Sequence, residues 1–209
     1  MRTPVVCAVV AVAVLIGTGT AVATSLTVTS KKLGAAQVTA PAMFPTTITI
    51  ANGVGGVAGQ AENGDIITFV FSQQIDETTL CSGWSNSLST QSVQEGWAIL
   101  PGSGGADDTL EVNNPASTCA NGFNIGTVDL GSAGYNTGSS NIRFTSTTAA
   151  LVVGPSTSTL TVTLSGIKGS GGTVSAGSPA VWTPDSSLKD RSGRTCGNNL
   201  AQSTATVQF

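Results

Sequence analysis

A chain of 209 residues with eight Lys and Arg against eleven Asp and Glu is 9% charged and carries a net charge of −3. It has no basic surface with which to neutralise phosphates, which disfavours nucleic-acid binding and electrostatic docking to anionic lipid. It contains no His, which excludes Ser-His-Asp and Cys-His catalysis, and its length suits one domain of ordinary size.

The first element reads as an export signal. Met1 and Arg2 form a short positive start, an apolar run follows from Val5 to Ile16, and small residues lead to Ala21-Val22-Ala23. These are the three parts of a secretory signal peptide, expected to form a signal helix and to be cut after Ala23. The alternative is retention as an N-terminal anchor. The uninterrupted apolar run is too short to span ~30 Å of hydrocarbon, and including Gly17 to Ala23 brings it near the limit. Residues 24–45, from Ser25-Leu26-Thr27-Val28-Thr29 to Pro41 and Pro45, read as an extended lead-in to a main domain over 46–209.

That domain has the composition of a sheet protein. The chain holds 30 Thr, 24 Ser and 26 Gly; β-branched residues favour strands, and good surface-helix formers are scarce. Its 40% hydrophobic content argues for a packed fold and against a disordered linker.

Thr47-Ile48-Thr49-Ile50 alternates as a half-buried strand does. The glycine-rich stretch Asn52–Gly59 invites a phosphate-loop reading, but it lacks the Lys-Ser/Thr pair and the following helix. It reads as a loop before the strand Ile66–Ser72, whose Ile67, Phe69 and Phe71 share a core face. Gln74–Leu80 reads as a turn with one helical turn, and Ser92–Ile99 as a strand. Gly102–Asp107 is a turn, and Thr109–Val112 a short strand. Phe123–Leu130 suits a strand, and Ile142–Val153 one or two more. Thr159–Leu164 alternates most clearly, with Leu160, Val162 and Leu164 inward and the threonines facing water. Ala180–Trp182 is a further strand, and Ala205–Phe209 the last. Some seven to ten short strands without a helix of ten residues predict an all-β, antiparallel sandwich.

Two segments carry a resemblance. Gly64-Asp65-Ile66-Ile67-Thr68-Phe69-Val70-Phe71-Ser72-Gln73-Gln74-Ile75-Asp76 resembles the strand and turn of bacterial Ig-like domains found in S-layer and other surface proteins. Trp182-Thr183-Pro184-Asp185-Ser186-Ser187-Leu188-Lys189-Asp190-Arg191-Ser192-Gly193 is similar to their closing segment, although Arg194 stands where the family usually has Asn. The resemblance implies an Ig-like β-sandwich exported to the cell envelope or medium. It implies a non-catalytic structural, adhesive or assembly role, with no cofactor and with envelope proteins or glycans as partners. Membrane contact is expected only if the N-terminal segment is retained. The alternative function is binding of a carbohydrate or cell-wall polymer.

Candidate chemistry is sparse. Export makes a disulfide expected among Cys81, Cys119 and Cys196. Cys119–Cys196 would staple the long middle to the domain end, Cys81–Cys119 is nearly as good, and the pairing stays open. The acid pairs Asp107-Asp108, Asp76-Glu77 and Asp185 with Asp190 sit in turns, where an Asp usually caps its own backbone. A carboxylate-pair hydrolase is therefore not expected. Asp76, Glu77, Asp185 and Asp190 would serve calcium better, though no calcium-loop spacing supports it and no metal is expected. Trp97 and Trp182 are expected in the core, and Trp84 near the surface or against a disulfide.

Overall fold

Alternating sequence becomes alternating burial along most strands of the computed structural model, which describes residues 42–114 and 116–209. The signal segment with Ala23, and the lead-in up to residue 41, lie outside the described residues. Strand β1 (Pro45–Ala51) buries Ile48 and Ile50 and exposes Thr47 and Thr49; β2 (Ile66–Phe71) buries Ile67, Phe69 and Phe71 completely. A single helical turn, α1 (Glu77–Leu80), is capped by Asp76, whose carboxylate accepts from the Thr78 amide. The remaining strands are β3 (Gln91–Leu100), β4 (Thr109–Asn114), β5 (Thr127–Asp129), β6 (Ile142–Val153), β7 (Ser158–Thr163), β8 (Ile167–Lys168), β9 (Val181–Thr183) and β10 (Ala201–Gln202).

All pairings are antiparallel, and one path runs β1-β2-β7-β6-β3-β4-β5-β9-β10, with β8 beside β6. The end of the path returns to its start, where β10 and β9 pack near β1. The architecture is therefore all-β as expected, but it is one nearly closed, barrel-like sheet and not clearly the two-sheet sandwich read from the sequence.

The closure has a local cause at Gly96. On one side Glu95 pairs with Thr147 and Trp97 with Phe144, so β6 carries an extra residue; on the other, Gly96 pairs with Asn114 and Trp97 with Val112, so β4 does too. Bulges bend a strand and sharpen its twist, and two of them flanking one residue make a corner. The buried positions of β6 change phase there, from Ile142 and Phe144 to Thr147, Ala149, Leu151 and Val153. A Cβ on Gly96 would stand 2.7 Å from Asn114 Cβ, so the corner has no room for a side chain. Strands β7 and β8 meet β6 in one common register and are interrupted at Gly166, whose φ of 72° few other residues adopt.

The core joins the two walls. Trp182 of β9 packs edge-on against Phe69 (4.8 Å) and Phe71 (5.1 Å) of β2, and its Nε1 donates to Ile125 O at 2.9 Å. Two expected strands shrink or vanish. Phe123–Leu130 yields only β5, because Gly122 and Gly126 take left-handed φ values of 94° and 92° that break the ladder. Ala205–Phe209 is no strand: Ser203 Oγ and Gln208 Nε2 both donate to Ala205 O and fold it into a turn. Phe209 then packs on Tyr135, its carbonyl accepting from Gly59 N.

Candidate interaction surface

The residues singled out in the sequence are mostly committed to holding the fold. Cys81 and Cys119 form the disulfide, with Cα atoms 4.6 Å apart, and Cys196 is a buried free thiol. The Cys119–Cys196 staple is thereby corrected. Cys81 is instead placed opposite Phe123 by an isolated bridge, next to the turn that carries Cys119. Burial pushes the Cys196 thiol up to about 11, far from a reactive thiolate.

The two segments that carried the resemblance do meet: Ile75 bridges to Asp190, and Asp76 N donates to Lys189 O at 2.8 Å. Their acids nevertheless turn to other partners. Glu77 pairs with Arg191; Asp190 accepts from Arg194 Nε at 2.7 Å and from Ser192 N at 2.8 Å. Asp185 accepts from Ser187 N at 2.7 Å. Asp108 is buried and accepts from Asn136 N (2.7 Å) and Gly102 N (3.0 Å), while its neighbour Asp107 is exposed. Among the described residues no three His, Cys, Asp or Glu side chains converge as a metal site.

The glycine-rich loop is organised in the same way. Asp65 accepts from Gly53 N (2.8 Å) and Glu62 N (2.5 Å), and Glu62 from Val57 N (2.7 Å). Amides that a phosphate would need already face carboxylates. Burial of Asp65 raises its pKa, partly offset by those amides. Trp97, Trp182 and Tyr135 are fully buried, and Trp84 is buried edge-on against Phe123. No ring of these four offers a platform on which a sugar would stack.

What remains is a surface. Beyond the corner, β1, β2, β7, β6 and β3 lie side by side, and alternation sends every second side chain outward. Cross-strand register aligns these in rows. The central row is Thr49, Thr68, Thr161, Ala150 and Ser92. One flanking row is Ala51, Ile66, Thr163, Thr148 and Gln94; the other is Thr47, Val70, Thr159 and Val152. All are exposed or half-buried, and none is charged. Outward positions on the other side of the corner differ: Glu111, Asp129, Arg143 and Lys168 stand there. Sequence reasoning saw the threonines facing water in single strands; only the pairing order shows that they form one array.

Among the described residues no helix is long and apolar enough to cross a membrane. Comparison with protein-family models, with curated proteins and with solved structures finds no match to this chain.

Proposed function

We propose that the chain is a non-catalytic exported module with a structural, adhesive or assembly role at the cell surface or in the medium, working through its uncharged five-strand face. The observation that carries this reading is the face itself: fourteen outward positions in register without one charge. Outward residues on a sheet that only needs to stay solvated and unpaired commonly include charges, which suppress association. The likeness of residues 64–76 and 182–193 to exported Ig-like modules points the same way, as do the commitments of Glu77, Asp108, Asp185 and Asp190 to partners within the fold. Burial of Trp84, Trp97, Trp182 and Tyr135 disfavours carbohydrate binding by stacking on these rings.

The test is retention. Protein recovered from a producing culture is expected to lose its association with the cell surface, or its higher-order assembly, when Thr161 becomes Lys, with the circular dichroism spectrum unchanged. Steady turnover of an ester, peptide or glycan substrate by the purified protein would overturn the reading.

A further inference from the structure

We infer that the partner of the uncharged face is a second copy of this chain, docked sheet on sheet. The inference rests on the reading of that face as the working surface.

Charge comes first. The chain is acidic overall, so two copies repel wherever their acids meet, and this face is a broad region where they do not. Its chemistry is also self-complementary. A Thr hydroxyl donates and accepts, so a threonine array satisfies itself against its own copy, whereas a face of one charge needs an opposite partner. Rows such as Thr49, Thr68 and Thr161 lose nothing when they meet the same rows.

Shape and size set the strength. The sheet curls toward closure, so its outer face is convex and two copies meet over the central strands. Five strands at ~4.8 Å and three rows at ~6.7 Å bound the footprint at roughly 500 Å². A stable pair buries about 800 Å² per partner. The contact is therefore weak and reversible, and two-fold symmetric because the same patch serves both copies.

Sedimentation velocity on the chain as recovered from culture, over about 10 µM to 1 mM, tests this. Wild type is expected to pass from monomer to dimer with rising concentration. Thr68 and Thr161 are cross-strand neighbours at the centre of the face; changing both to Lys places four like charges together in the pair. The dissociation constant should rise at least about tenfold at low salt and fall back as salt screens the charges. Thr127→Lys, on β5 beyond the corner, should leave it unchanged. Wild type that stays monomeric throughout, or a double variant that dimerises as wild type does, overturns the inference. If wild type stays monomeric but the double variant loses cell-surface retention, the second copy is wrong and the working face stands. If retention is unchanged too, both fail.

Discussion

On one side of Gly96, β2, β7 and the second half of β6 run six residues in unbroken register. On the other, β5 and β9 have three residues each and β10 has two. The first side is stabilised by repetition, since its inward residues are aliphatic or aromatic except Ser158, whose hydroxyl accepts from Ile75 N, and each ladder rung supports the next. The short strands have too few rungs for that. They depend on single devices: the Cys81–Cys119 bridge, Trp182 reaching across the core, and glycines and carboxylates that set each turn. A repeated structure spreads its loss over many positions and leaves its outside free to be uniform. A device-held structure concentrates its loss in a few.

The largest effect is expected where the two sides join. Trp182→Ala removes the ring that packs on Phe69 and Phe71 and should cost roughly 3–5 kcal/mol in urea unfolding. A loss below ~1 kcal/mol would mean that the short strands do not lean on the long ones. Removing the disulfide should cost roughly 2–4 kcal/mol, because its bridge closes a loop 38 residues apart in sequence. The double Cys81→Ala, Cys119→Ala variant and reduced wild type should unfold at the same urea concentration. Cys196 should stay unlabelled by iodoacetamide until the protein unfolds; early labelling would show that its wall opens. Third comes the corner. Gly96→Ala drives a methyl against Asn114 Cβ and should cost roughly 1–3 kcal/mol. An unchanged unfolding midpoint would show that the bend does not depend on the missing side chain.

The same contrast explains what could be read in advance. Alternation needs only neighbours in sequence, so β1, β2, β7 and the inward set Ile67, Phe69, Phe71, Leu160 and Val162 were legible. The corner was not: its bulges are mismatches between β3, β6 and β4, and no single segment contains a mismatch. Nor was β8, two residues that pair only because Gly166 lets the chain continue the register of β7. Ala205–Phe209 alternates as well as a strand does, yet Ser203 and Gln208 bind Ala205 O and turn it. The candidate surface was half legible, as threonines facing water, and became an array only through the strand order. The disulfide was open among three cysteines, since spacing does not reveal which two walls approach.

The smallest expected effect lies at the corner and reports on burial. Glu95 is 1% exposed and faces Thr147 across the ladder. One carboxylate oxygen accepts from Ala116 N, while the other and the Thr147 hydroxyl have no hydrogen-bond partner. Desolvation raises the pKa of Glu95, with the Ala116 amide pulling the other way. The folded state therefore holds that proton more tightly than the unfolded chain does. Stability from this group is fully present below the ordinary glutamate range, which starts from 4.5, and is lost as pH rises through the raised folded value. Gln at this position keeps the acceptor for Ala116 N, adds a donor for Thr147, and does not titrate. Glu95→Gln should therefore gain on wild type as pH climbs from about 4 to 8, with the gap in melting temperature widening and then levelling. Asp65 titrates with the same sign in both proteins and cancels from the difference. A constant gap would mean that water reaches Glu95, so that the bulges open the corner they were taken to close.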